Sequence, residues 1–158
     1  MGSGLSSITI AEGVLSPRLV SALYIEAMVL ADEVRTYFDE TGREERDSLA
    51  PLQRVSFSCE SLKVTTRLMH IIAWLLTQRA VDAGELPQRE ALDPSRRLGA
   101  APETEAATAA AMPEQAQGLI ASSIDLYRRV GRLDASHGEL SAVASPARSM
   151  LDRLSHSF

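Results

Sequence analysis

The chain has 158 residues, the length of about one domain, with 45% hydrophobic residues but only 4% aromatic ones. A core must then be built from Leu, Ile, Val, Met and Ala, a palette that suits helices better than sheets. The formal charge of −5 is the wrong sign for a face that neutralises phosphates, so no nucleic-acid partner is expected.

The N-terminus, MGSGLSSITIAEG, has neither a basic leader nor a long apolar stretch, and 1–15 reads as flexible. Ser16 then offers an N-cap and Pro17 sits at the first helical position, where a missing N–H is harmless. Val20, Leu23, Tyr24, Ala27, Leu30, Ala31, Val34, Tyr37 and Phe38 recur at three- and four-residue spacing. That stripe predicts a helix over 16–40, with Gly42 as its stop.

A second helix is predicted over 48–83, capped by Asp47 or Ser48, with Pro51 in its first turn and no further Pro or Gly before Gly84. Its later half is apolar on more than one side, through Leu68, Met69, Ile71, Ile72, Trp74, Leu75 and Leu76. That surface exceeds what two neighbouring helices cover, and it predicts a homodimer. Ser58, Ser61 and Thr65 are small enough to let a neighbour come close.

Glu85–Gly99 holds at most one short helix between Pro87 and Pro94. The Ala-rich stretch 100–112 has almost no large apolar residue to bury and reads as a flexible linker. A third helix is predicted over 113–133, with Ala116, Leu119, Ile120, Ser123, Ile124, Tyr127, Val130 and Leu133 as its stripe. Beyond it, 135–158 reads as a flexible tail. Ser145 and Pro146 repeat the cap-plus-proline signal there, but a helix that short is marginal in water. The expected fold is all-α: an antiparallel three-helix bundle with a long central helix.

Chemistry is sparse. Cys59 is the only cysteine, so no internal disulfide forms, and no His lies near it to activate a thiol. His70 stands alone on the second helix, while His137 and His156 fall beyond the predicted core. No HExxH or ExxH pairing, Walker loop, GxGxxG or GxSxG is present. These patterns predict a non-enzyme with no metal and no cofactor. The longest strongly apolar block, Ile71–Leu76, is far short of the ~20 residues a membrane span needs, so a cytoplasmic protein is expected.

Two groups are candidates for binding a protein partner. Arg128, Arg129 and Arg132 crowd the end of the third helix, where they either complement the helix dipole or meet an acidic partner. In the tail, Met150, Leu151, Leu154 and Phe158 are apolar anchors able to fold into a partner's groove.

Three stretches resemble the alphaproteobacterial regulator of CtrA degradation (RcdA) family. They are the YFD-x-x-GR-x-x-R-x-x-L-x-P-L segment from Tyr37 to Leu52, the TTRLM…WLL-x-QRAV-x-x-GE helix from Thr65 to Glu85, and LYRRVGRLD from Leu126 to Asp134. The resemblance implies a dimeric three-helix bundle. It also implies a non-enzymatic adaptor of the ClpXP protease, acting with accessory adaptors to bring cell-cycle regulators to the unfoldase. A dimeric helical scaffold binding some other client would share every feature except engagement of the protease.

Overall fold

A computed structural model describes the backbone of residues 15–157, and their side chains except those of 140–149, 152, 156 and 157. The expected flexible start at 1–14 and the candidate anchor Phe158 lie outside the described residues. Leu15 is within them, and packs on the core.

Every regular element among the described residues is helical. Three are long: α1 (Pro17–Thr36), α3 (Pro51–Asp82) and α6 (Glu114–Ser157). Short pieces connect them: α2 (Arg43–Asp47), α4 (Gln88–Ala91) and α5 (Ala106–Ala110). Each long helix packs against the other two, the α1–α3 seam being the most extensive. The apolar stripes meet as their spacing requires. Val20, Leu23, Ala27, Leu30 and Val34 of α1 face Phe57, Val64, Leu68, Ile71, Trp74 and Leu75 of α3, and α6 closes the core with Ala116, Leu119, Ile120, Leu126 and Val130. Burying an aliphatic side chain of this kind contributes roughly 1.5–3 kcal/mol.

The helix starts follow from proline more than from side-chain caps. Ser16 holds the N-cap position of α1, yet its hydroxyl makes no capping bond; its carbonyl accepts from the N–H of Val20 at 3.1 Å. The cap of α3 is Ala50 rather than the expected Asp47 or Ser48. Pro51 forces the residue before it into extended backbone, φ −61° and ψ 153°, and so fixes the start there. Asp47 and Ser48 instead close α2, with Ser48 Oγ donating to the carbonyl of Glu44 at 2.8 Å.

The end of α1 widens into a π-helical turn, Tyr37–Thr41, closed at Gly42. The N–H of Gly42 donates to the carbonyl of Tyr37 at 2.6 Å. A Cβ at residue 42 would lie 2.7 Å from that oxygen and 2.9 Å from the Tyr37 ring, so only glycine fits. The turn buries Tyr37 and Phe38 against Phe57, with Phe38 edge-on to each of the other rings at 5.0 and 5.1 Å. The Tyr37 hydroxyl donates to Glu45 of α2. Burial, aided by that bond, pushes the Tyr37 phenol well above its ordinary pKa. Gly84, at φ 74°, terminates α3 in the left-handed conformation that favours glycine.

Two segments differ from their sequence expectation. The stretch 100–112 is not a detached linker: Met112 enters the core, α5 forms within it, and side chains of the long helices grip its backbone. Composition could not show this, because the grip is polar rather than apolar. The last helix, expected to stop at residue 133, continues without a break to Ser157. At 1.5 Å per residue it is ~66 Å long against ~48 Å for α3, so its end projects past the body. His137, expected beyond the core, is 6% exposed and meets Gln88 of α4.

Candidate functional site

One face of the body is tied together by buried polar side chains. Arg67 of α3 reaches the segment before α5, donating from Nη2 to the carbonyl of Pro102 at 3.0 Å and to Thr104 Oγ1 at 2.5 Å. Its Nη1 donates to Ser123 Oγ of α6 at 3.3 Å. The Thr104 hydroxyl in turn donates to Glu60 Oε2 at 2.6 Å, and Lys63 pairs with the other oxygen of Glu60 at 3.0 Å. One helical turn on, His70 Nδ1 and the Tyr127 hydroxyl both donate to the carbonyl of Gly99, at 3.1 and 2.6 Å. These bonds make His70 a clasp on the connecting segment, with its donor nitrogen assigned by the carbonyl that accepts from it. Further along, Asp134 Oδ1 accepts from Trp74 Nε1 at 2.9 Å and from Arg97 Nε at 2.7 Å.

The opposite side of α3 is apolar and open. Val55, Leu62, Met69 and Leu76 stand seven residues apart, at 60%, 68%, 63% and 46% exposure. A seven-residue repeat keeps one seam in register along a partner helix. Small or short side chains flank the seam, with Ser58, Cys59, Thr65 and Ala73 all exposed. Beside it lie two grooves, one against α1 and one against the π-helical turn and α2. One, of about 260 Å³, is floored by Val34, Phe38, Leu68 and Ile72; the other, of about 270 Å³, runs from Ser61 past Phe57 to Arg46. The seam was not singled out from the sequence, where it merges with the buried residues Leu68, Ile71, Trp74 and Leu75. The recurrence at seven is the signal that could have found it.

The residues predicted to bind a partner fall into three situations. Arg128 and Arg132 are exposed on α6. Arg129 is instead latched to the body: it bridges to Asp125 at 2.9 Å and makes a two-pronged contact with the Glu26 carboxylate of α1. Met150, Leu151 and Leu154 are exposed on the projecting end of α6, at spacings that put them on one face. Among the described residues no group of three or more His, Cys, Asp or Glu side chains is placed to hold a metal. No described helix is long and apolar enough to cross a membrane. Cys59 is an exposed free thiol.

This arrangement of helices can be set beside known proteins. Residues 11–158 match the family described as "Protein of unknown function (DUF1465)". The fold matches the crystal structure of RcdA from Caulobacter crescentus CB15 with a TM-score of 0.63 and 32% sequence identity, over 78% of this chain and 93% of that one. The chain belongs to the RcdA family. No curated protein matches the sequence. The likeness to RcdA spans nearly all of that chain and most of this one, rather than a single local motif.

Proposed function

We propose that this RcdA-family chain is a non-enzymatic adaptor that helps deliver regulatory substrates to the ClpXP protease in cell-cycle control. The observation that carries the reading is the likeness to RcdA, 32% identical over 93% of that protein's chain. In this reading residues 15–139 form the body, an antiparallel three-helix bundle, and the rest of α6 is an arm. The exposed seam of Val55, Leu62, Met69 and Leu76 is the homodimer face, because four aligned, exposed apolar side chains are taken out of water when a second copy covers them. The arm presents Met150, Leu151 and Leu154 to another protein as an amphipathic helix fits a groove.

The test is a reconstituted degradation assay with ClpXP, a candidate regulator, and either the intact chain or one truncated after Asp134, alongside co-purification from an alphaproteobacterial lysate. Accelerated turnover and recovery of ClpX or its accessory adaptors with the intact chain support the adaptor reading. Failure of both, with a different client enriched, overturns it in favour of a dimeric scaffold. The dimer is tested separately by light scattering at micromolar concentration. Met69→Asp is expected to shift the chain to monomer with unchanged helix content; a wild-type chain that is already monomeric refutes the seam as an interface.

A further inference from the structure

A guanidinium taken out of water is costly unless an anion accompanies it. Arg67 is 2% exposed, and its hydrogen bonds all go to neutral oxygens: the Ser123 and Thr104 hydroxyls and the Pro102 carbonyl. Among the described residues no carboxylate lies within ion-pair distance of it. Glu60 acts on it only across the Thr104 hydroxyl, and Lys63 already pairs with Glu60. Burial accordingly pulls the Arg67 pKa down, and the charge of Glu60 offsets part of that shift.

The guanidinium also has capacity to spare. Arg67 Nε makes no hydrogen bond among the described residues, yet no sealed side-chain nitrogen or oxygen lacks a partner. Nε is therefore not completely sealed. The space that Arg67 lines is a cleft of about 380 Å³ between the 100–104 backbone and α6. Tyr127 and Ile124 form its α6 wall, with Arg128 beside them. Arg128 has no ion pair or hydrogen bond among the described residues. Glu103 is the one carboxylate lining the cleft. Two guanidinium groups thus face a single carboxylate around a hollow at the small end of the range for ligand pockets.

We infer that this cleft binds a small oxyanion, the phosphate or carboxylate group of a small molecule, held between Arg67 Nε and the Arg128 guanidinium. Such a ligand supplies the counter-charge that Arg67 lacks. It also joins α3, the 100–104 segment and α6 at one point, which fixes the connecting segment against the body. Arg67 lines the hollow yet is only 2% exposed, so a compact free anion reaches it more readily than a side chain carried on a partner's surface. This inference stands on the cleft alone and does not depend on the adaptor reading.

The experiment is calorimetric titration of the full chain with inorganic phosphate and, separately, with succinate, each against sodium chloride at matched ionic strength. Thermal unfolding of Trp74 fluorescence provides a second readout. The expected result is saturable binding of at least one of the two above the chloride control, with phosphate alone or succinate alone telling which oxyanion is preferred. Arg128→Ala, on an exposed residue, is expected to weaken binding about tenfold, the loss of one charge-assisted hydrogen bond, while leaving helix content unchanged. Glu103→Gln is expected to tighten it. Absence of saturable binding by either anion overturns the inference. So does equal binding by wild type, Arg128→Ala and Arg67→Lys, the last of which keeps the charge but loses the fork. Capture of an acidic peptide with neither free anion bound also overturns it, by moving the cleft to a protein partner.

Discussion

Asp134 offers a direct measure of how strongly the polar bonds hold the connecting segment to the long helices. Its Oδ1 accepts from Trp74 Nε1 and Arg97 Nε at 2.9 and 2.7 Å, and its carbonyl accepts from Arg97 Nη2 at 2.9 Å. Asp134→Ala removes the carboxylate and keeps the carbonyl. The Trp74 residue is 2% exposed, so its N–H is left without an acceptor, at about 1–3 kcal/mol. The Arg97 side chain is 32% exposed, so water takes up much of what it loses, and that part is only about 0.5–1 kcal/mol. The expected destabilisation is therefore about 1.5–4 kcal/mol, or roughly 3–16 °C in Tm for a chain of this size. Asp134→Asn keeps an oxygen for the indole and loses the charge, so about 1 kcal/mol is expected. Trp74 is the only tryptophan, which makes urea unfolding followed by its fluorescence the natural assay. Equal stability of the Ala and Asn variants, or both lying within about 0.5 kcal/mol of wild type, refutes this role for the Asp134 carboxylate.

Three further outcomes are expected. Tyr37 ionises later in the folded chain than in the unfolded one, through burial first and its bond to Glu45 second. Its stabilisation is thus complete below about pH 10 and is lost as pH rises above that, where the unfolded phenol ionises first; stability measured across this range should fall less steeply in Tyr37→Phe. The same substitution at two glycines should act with opposite signs in denaturant unfolding. Gly42→Ala drives a Cβ into Tyr37 and costs about 1–3 kcal/mol, whereas Gly118→Ala meets nothing within 4 Å inside α6 and gains up to about 1 kcal/mol. Finally, Pro146 lies inside α6 and has no N–H for the carbonyl of residue 142. Pro146→Ala should raise the far-ultraviolet helix signal with no change in the Trp74 unfolding midpoint, and a shifted midpoint would show that the arm is coupled to the core.

Much of this architecture is legible in the sequence, because apolar periodicity records burial. Every residue read as the stripe of the first and third helices is buried or half-buried in the structure, from Val20 through Phe38 and from Ala116 through Leu133. What escaped the reading is polar or comparative. The seat of the 100–104 segment depends on Arg67, which in sequence is one more charged residue on a long helix, and on two carbonyls that no side-chain pattern reveals. The continuation of α6 through 134–157 hides behind its Ser and Ala content and behind a proline that more often begins a helix than sits within one. The caps misled for a related reason: Ser48 is a good cap by type, but the constraint from Pro51 overrode it. On α3, hydrophobicity alone could not separate Met69 and Leu76, which face outward, from Leu68 and Leu75, which face the core.

The unequal lengths of α3 and α6 bear on how the molecule yields under load. Among the described side chains none beyond His137 is buried. A pull on the C-terminal end is expected to unwind α6 beyond His137 first, where Pro146 leaves one helical hydrogen bond unmade, before the packed interior is strained. The resistance then rises abruptly where His137 and Asp134 hold α6 to Gln88, Arg97 and Trp74. A force applied at this end is thus expected to draw out the end of α6 while the packed helices with their exposed seam stay folded.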